Sequence, residues 1–272
     1  MNKFVKKLLE SNMELVDSND FEQLYKEARK SGVSTDLTVV LQQAGINPLE
    51  YMNKIPASFA NGFTNYEFDI PDHITEIGDE AFMNSSLKEI TIKSACKRVR
   101  SSAFAYCNLL QTVNFEPGCV KIDSGAFYNC SFLKTVNLPD TLWSLGEGAF
   151  FEDYYLEKIK LPESLAGIGR DCFGKCGFEE IYLPKALCEI EARAFQGCSN
   201  LKKVTIQGAD ILYENIFRGC KKLETVVFGD YGSDFDDNIF DEQDPPKEFY
   251  VPKTNKYVLD YCKEHNFNVH LT

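Results

Sequence analysis

The chain contains 272 residues, of which 44% are apolar and 13% aromatic, and it carries a formal net charge of −12. This apolar content, without any low-complexity tract, is enough to stabilise a packed core and excludes a disordered chain. The negative charge disfavours direct binding of nucleic acid or anionic lipid, which needs clustered Lys and Arg, and no run of 18 apolar residues is present to span a membrane.

Residues 1–58 precede the repeats described below and are predicted to form a small helical unit. Apolar side chains fall at helical spacing in three stretches, residues 4–16, 21–28 and 37–44. A fourth start is predicted at Asn47-Pro48, with Asn as the cap and Pro at the first helical position. The unit is either a cap for the repeat array or a separate module for dimerisation or partner docking.

The first residues lack the pattern of a secretory leader. Lysines occur where a leader would have them, but Glu10, Ser11, Asn12 and Glu14 interrupt any apolar run of secretory length. The sequence therefore predicts a cytoplasmic protein with no membrane association.

From about residue 63 to residue 252 the chain repeats itself every 22 or 23 residues, which is a solenoid period. An anchor Phe marks each repeat: Phe82, Phe104, Phe127, Phe150, Phe173, Phe195, Phe217 and Phe240. Five residues before each anchor stands an apolar residue: Ile77, Val99, Ile122, Leu145, Ile168, Ile190, Leu212 and Phe235. A third column holds apolar pairs two residues apart: 68/70, 90/92, 113/115, 136/138, 159/161, 181/183, 204/206, 226/228 and 249/251. Spacing of two predicts a strand with one buried face.

Each repeat is therefore predicted to form one rung, with a short strand, a turn and a returning segment whose apolar side chains fill the interior. No single rung can bury its own apolar face, so nine rungs stacked at strand spacing would form a curved sheet about 40 Å long. Such an array has one open, strand-lined face.

The recurring pattern L-x-x-I-x-L-P-x-x-L-x-x-I-G-x-x-x-F resembles the BspA-like class of leucine-rich repeat, most closely at residues 156–173 and 178–198. The resemblance implies an α/β solenoid, a horseshoe of about eight to nine rungs over residues 59–252, closed by a C-terminal cap of helix and strand over residues 253–272. It also implies a role in protein–protein contact through the concave face and no catalytic residues. Most members of this class are exported surface proteins.

Eight of the ten cysteines fall in repeat columns as apolar residues, which favours reduced thiols over disulfides between neighbouring rungs. Five of them lie three residues after an anchor Phe: Cys107, Cys130, Cys176, Cys198 and Cys220. Cys96 and Cys119 occupy a column that holds Ile or Leu in other rungs. Cys172 and Cys176 lack a second Cys or His pair at zinc-site spacing, so no metal is expected.

No catalytic constellation is evident, and the sequence predicts a protein that is not an enzyme and needs no cofactor. The three histidines, His73, His265 and His270, have no Ser or Cys beside them in a nucleophile context. Gly167-x-Gly169 lies in a turn of the repeat and is followed by Cys172 where a phosphate-binding loop needs a third glycine.

The side chains that point outward from the predicted strands are the candidates for partner binding. In the middle of this concave face, basic residues gather around a tyrosine, within a set that comprises Asn137, Lys158, Lys160, Glu180, Tyr182, Lys203 and Thr205. Tyr and long cations are good contact anchors, and Thr and Asn supply hydrogen bonds. The alternative is that Lys and Thr merely discourage unwanted strand pairing.

A crowded acidic stretch, residues 229–244, is a second candidate contact surface. Its candidate residues are Asp234, Asp236, Asp237 and Asp241. A calcium loop that starts at Asp234 would have Ile239 where Gly is needed and Pro245 where a bidentate Glu should lie. The stretch is therefore either a solvated edge or a contact for a basic partner.

Three functions remain open at this stage. The first is an intracellular module that binds an unidentified protein, of the phage- or mobile-element type that inhibits a cellular protein. The second is a surface-associated adhesion or structural protein, and the third is an acidic mimic of nucleic acid. The oligomeric state stays undetermined by the sequence.

Overall fold

The computed structural model describes the following residues: 18–30, 38, 48–50, 52–230, 234–235, 238–240 and 245–272. Over these residues the chain forms a parallel β-solenoid of stacked rungs, with one α-helix before the array and one within its C-terminal closure. Neither helix is long and apolar enough to cross a membrane. The predicted solenoid is confirmed.

Helix α1 (Ser18–Lys30) packs against the beginning of the array. It buries Leu24, Tyr25 and Ala28, and the Tyr25 ring lies 5.4 Å from that of Phe59. The Tyr25 hydroxyl donates to Thr38 Oγ1 (2.8 Å), because the Thr38 proton is already donated to the Phe59 carbonyl (2.6 Å). These contacts cover the apolar end of the first rung.

The structure tests the N-terminal predictions in part. The second apolar stripe forms α1, and Pro48 opens a 3₁₀-helix, Pro48–Glu50. The first stripe lies outside the described residues, as does the third except for Thr38. The sheet already begins at Lys54, and the division of the chain at residue 58 stays a prediction.

The returning segment of each rung contributes a two-residue strand to one nine-stranded parallel sheet, here called the short-strand sheet. Its strands, in spatial order, are β1 (Lys54–Ile55), β2 (Glu76–Ile77), β4 (Arg98–Val99), β6 (Lys121–Ile122), β8 (Ser144–Leu145), β9 (Gly167–Ile168), β11 (Glu189–Ile190), β13 (Ile211–Leu212) and β15 (Asp234–Phe235). The eight apolar residues that precede the anchor Phe by five each occupy the second position of such a strand, β2 to β15. This side of the array is therefore held by very short strands and not by helices.

The opposite side, here called the long-strand face, is divided into two parallel sheets. The first holds β3 (Glu89–Ile92), β5 (Thr112–Phe115) and β7 (Thr135–Asn137). The second holds β10 (Glu180–Leu183), β12 (Lys203–Ile206), β14 (Thr225–Phe228), β16 (Glu248–Val251) and β17 (Asn268–Leu271). The predicted strand pairs 68/70 and 159/161 do not form strands. The first lies at the end of the array, and the second lies where the ladder is broken.

The anchor phenylalanines form one continuous stack through the interior. Neighbouring rings, from Phe82 to Phe240, are separated by 5.1 to 5.7 Å and are nearly parallel, with interplanar angles of 1° to 18°. Each ring is buried, and burying a Phe contributes about 1.5–3 kcal/mol. The stack is thus the main apolar axis of the fold.

All ten cysteines are free, and all but Cys188 are buried. In the column three residues after the anchor, each thiol donates to the backbone carbonyl of a Phe from the preceding rung, at 3.1–3.2 Å. Burial raises the pKa of Cys96 to about 11 and that of Cys119 to about 12. The cysteines therefore act as core residues.

The array closes with strand β16, helix α2 (Lys256–Glu264) and strand β17, as the sequence predicts. Asn255 caps α2 by accepting from the Val258 N–H at 3.2 Å. The Phe267 ring stacks on Phe249 at 4.5 Å, which covers the last rung.

Candidate functional site

The structure brings four of the predicted concave-face residues together on two adjacent long strands. Glu180 and Tyr182 on β10 lie opposite Lys203 and Thr205 on β12, in parallel register. Tyr182 is 47% exposed, while Ile181 between Glu180 and Tyr182 is buried. The alternation therefore presents Tyr182 outward, as the sequence predicts.

Asn137 belongs to the other half of the long-strand face and ends a row of polar side chains. Its amide donates to Asn114 Oδ1 at 2.7 Å, and the Asn114 amide donates to Glu89 Oε1 at 2.9 Å. These three residues lie on β3, β5 and β7. The row stops at β7 because the next rung does not continue the sheet.

Lys158 and Lys160 lie on that next rung, between the two sheets. In neighbouring rungs, the residue two positions before the buried pair donates its backbone N–H to a carbonyl one rung earlier. The Lys134 N–H, for example, donates to the carbonyl of the equivalent residue, Gln111, at 3.0 Å. Within the described part of the chain, residues 157–161 make no backbone hydrogen bond in either direction. The predicted patch is therefore interrupted, which its regular sequence pattern did not indicate.

A cleft of about 860 Å³ lies at this interruption, lined by residues 134–138, 140, 155, 157–160 and 162. The rungs remain in register on the other side, where Ser144 and Leu145 pair with Gly167 and Ile168. The Phe150 ring keeps ordinary stacking distances of 5.3 and 5.5 Å to its two neighbours. The array is thus separated on the long-strand face alone.

The lysines of the predicted patch have no acidic partner in the part of the chain that the structure describes. Among the described residues, Lys158, Lys160 and Lys203 form no ion pair. In contrast, Arg98 contacts Asp123 at 2.7 Å on the short-strand sheet. The unpaired lysines give part of an acidic protein a local excess of positive charge.

Aromatic side chains lie exposed beside the cleft. Phe132 and Tyr155 are 48% and 52% exposed, and their rings stack at 5.6 Å with an angle of 9°. Tyr155 also lines the cleft. Exposed stacked rings of this kind are frequent contact anchors in protein interfaces.

Asp153 was not identified from the sequence as a special residue. It occupies the column that holds Cys in five rungs, in the turn that leads from Phe150 to the segment of Lys158. It is fully buried. Its Oδ1 accepts from the Cys130 N–H at 2.8 Å, and Oδ2 has no partner among the described residues. Burial raises the pKa of this carboxyl well above its ordinary value, an effect only partly offset by the hydrogen bond from Cys130.

A second groove, of about 870 Å³, follows the turns between Ser102 and Gly219. Its charged residues are mostly paired within the chain: Arg193 contacts Asp171 at 2.7 Å, and Lys175 contacts Glu152 at 2.7 Å. This groove offers fewer unsatisfied groups to a partner than the long-strand face does.

The acidic edge can be placed only in part. The backbone of Asp234 lies in β15 and pairs with Ile211, whereas Asp236, Asp237 and Asp241 fall outside the described residues. Across the residues that the structure describes, no group of three or more His, Cys, Asp and Glu side chains is arranged to hold a metal ion.

Comparison with known proteins gives one family and several structural neighbours. The model of the BspA type leucine-rich repeat region matches residues 54–166 and 144–269, with six copies. A leucine-rich repeat protein from Bacteroides ovatus is 20% identical, with 82% of this chain and 76% of that chain covered and a TM-score of 0.59. A leucine-rich repeat protein from T. pallidum is 24% identical, with 67% and 85% covered and a TM-score of 0.53. No curated protein matches the chain.

Proposed function

The chain belongs to the BspA-type leucine-rich repeat family, and we propose on this premise that it is a non-catalytic module that binds a protein partner through its long-strand face. The observation that carries the proposal is the set of outward side chains on β10 and β12, where exposed Tyr182 lies beside Thr205 and Lys203 forms no ion pair with a described residue. Such a mixture of an aromatic anchor, a cation and hydrogen-bonding groups suits a protein interface.

The chemistry of the described residues supports binding over catalysis. Their histidines serve structural contacts: His73 Nε2 lies 2.8 Å from the Leu49 carbonyl, and His265 Nδ1 lies 3.0 Å from the Tyr261 carbonyl. The buried thiols of the cysteine column are engaged with backbone carbonyls. We therefore assign the chain no reaction and no cofactor.

More narrowly, we propose that the chain acts in the cytoplasm as an inhibitor of a cellular protein. Inhibitors of this kind are encoded by phages and mobile elements. Free, buried cysteines favour a reducing compartment over an oxidising one. The alternative is a surface-associated adhesion role, which the exported members of the family suggest. Partner capture from cytoplasmic and from surface fractions distinguishes the two.

Site-specific photo-crosslinking tests the binding face directly. A photoreactive phenylalanine analogue replaces Tyr182 on the long-strand face or, as the matched control, Trp143 beside the short-strand sheet, which is 63% exposed. We expect one partner from host lysate to be crosslinked from position 182 and not from position 143. Crosslinking from position 143 alone would contradict the proposal.

A set of substitutions provides the second test. Lys158→Glu/Lys160→Glu/Tyr182→Ala should lose the partner, while Lys221→Glu/Lys222→Glu/Tyr213→Ala, which makes the same changes elsewhere, should retain it. Circular dichroism and thermal unfolding of both variants check that each remains folded. Equal retention by the two variants would place the interface away from this face.

A further inference from the structure

We propose that the cleft at residues 157–161 receives an extended segment of the partner polypeptide, which adds to the long-strand face as a β-strand. This inference rests on the proposed function and narrows it to one mode of recognition. The segment would alternate apolar and acidic residues. Four features of the cleft lead to this assignment.

The first feature is unsatisfied backbone. Residues 157–161 make no backbone hydrogen bond within the described chain, and β7 and β10 each pair with only one neighbouring strand. Buried or partly buried N–H and C=O groups without partners are costly, and an extended peptide can satisfy a whole row of them at once. Five residues of extended chain span about 16 Å, which sets the length of segment that the edge can pair with.

The second feature is an apolar floor. Leu138 and Ile159 are only partly buried, whereas their counterparts Leu183 and Ile181, in the rung after the cleft, are buried. In the regular part of the long-strand face, the stacking of one rung on the next buries both of these repeat columns. A strand in the cleft would cover Leu138 and Ile159 with every second side chain, because successive side chains of a strand point to opposite faces.

The third feature is charge. The exposed lysines of the lining, Lys134, Lys158 and Lys160, form no ion pair with a described residue, and they outnumber the lining carboxylates, Asp140 and Glu157. The outward side chains of an inserted strand would lie next to these lysines. Acidic residues at those positions are therefore favoured, and lysines would be repelled.

The fourth feature is selective separation. The short-strand sheet and the Phe stack continue through the same rung at ordinary spacing. The rung is therefore anchored on one side while its other edge is free, so a peptide could pair with the edge without unfolding the core. The stacked rings of Phe132 and Tyr155 lie at the border of the cleft as contacts for a flanking residue.

Hydrogen exchange of the full chain tests whether the edge is open. In the free protein, amides 157–161 should exchange at least about 100-fold faster than those of β12, which pairs on both sides. Protection of amides 157–161 equal to that of β12 would show a closed ladder and overturn the proposal.

Peptide binding tests the occupant. The probes are a pool of seven-residue peptides that alternate Val or Ile with Asp or Glu, the same pool with Lys at the charged positions, and the acidic pool with alternate backbone nitrogens methylated. We expect the acidic pool to bind and to protect amides 157–161, the lysine pool to bind at least about tenfold more weakly, and methylation to abolish binding. Binding that survives methylation, or absence of binding by the acidic pool, would overturn strand addition.

Substitution separates this inference from the broader function. The variant Lys158→Glu/Lys160→Glu should bind the acidic pool at least about tenfold more weakly than the wild type does. The matched charge reversal Lys221→Glu/Lys222→Glu should bind the pool with unchanged affinity. If the acidic pool does not bind while crosslinking from position 182 still captures a partner, strand addition is refuted and the proposed binding face stands. If position 182 captures nothing, the proposed function itself fails.

Discussion

Replacing Asp153 with Cys should stabilise the protein, because it restores the residue that other rungs use at this position. The carboxyl is fully buried, and only Oδ1 accepts a hydrogen bond, from the Cys130 N–H. Its other oxygen has no described partner, whereas the equivalent thiols donate to a Phe carbonyl. The side chains of Cys and Asp also have similar volumes, so the substitution leaves no sizeable cavity.

The expected magnitude follows from the unpaired oxygen. An unsatisfied buried polar group costs about 1–3 kcal/mol, so the free energy of unfolding of Asp153→Cys at pH 7 should exceed that of the wild type by at least this amount. For a chain of this size, 1–3 kcal/mol corresponds to a rise in Tm of about 2–5 °C.

The pH dependence gives a second, sharper readout. Burial raises the folded pKa of Asp153, whereas the unfolded chain has the ordinary value of about 3.9. Above the unfolded pKa, unfolding releases the proton that the folded state retains. The wild type therefore loses stability as pH rises towards the folded pKa, by up to about 1.4 kcal/mol per pH unit. Asp153→Asn and Asp153→Cys should lack this contribution.

Urea denaturation between pH 5.5 and 8.0, followed by circular dichroism, measures the three proteins under the same conditions. The difference in unfolding free energy between Asp153→Asn and the wild type should grow with pH across this range until the folded pKa is reached. Parallel profiles, or an Asp153→Cys protein that is less stable than the wild type, would refute the reasoning.

The remaining predictions concern the core and the C-terminal closure. In native protein one thiol per chain, that of Cys188, should react rapidly with Ellman's reagent, and all ten should react in denaturant; slow reaction in Cys188→Ser is the control. Phe150→Ala should lower the free energy of urea unfolding by about 3–5 kcal/mol, because it removes one buried ring from the stack, and a loss below 1 kcal/mol would contradict that packing. Asn255→Ala should cost about 1–3 kcal/mol in the same assay, since Asn255 caps Val258 and donates to the buried Gly229 carbonyl at 3.0 Å; an unchanged midpoint would argue against the cap.

The regular parts of the fold could be predicted because each rung repeats the same physical problem. A pair such as Val204 and Ile206 can bury one face only as a strand, and Phe195 and Phe217 at a fixed interval must meet when rungs stack. Periodicity therefore predicted the strands and the buried columns, whereas the C-terminal closure followed from the resemblance to the BspA-like class. Periodicity also predicted that Tyr182 points outward.

The interruption of the long-strand face could not be predicted from the same columns. Ile159 and Leu161 have the same chemistry and spacing as the pairs that do form strands. Hydrogen bonding between rungs depends on the distance between those rungs, which the sequence of a single rung does not determine. One signal was available: Asp153 departs from the cysteine column in the turn that leads directly into this segment. A polar residue at an otherwise apolar repeat position indicates where an array deviates from its regular geometry.

The break has a mechanical consequence for the whole molecule. At this rung the two halves of the array are joined by the short-strand ladder of β8 and β9, by the adjoining turns and by the Phe stack, all away from the open edge. A rod that is fastened along one side only bends most easily about that side. The two halves should therefore move as rigid bodies about a hinge at this rung. A strand inserted in the cleft would fix the angle between the two halves.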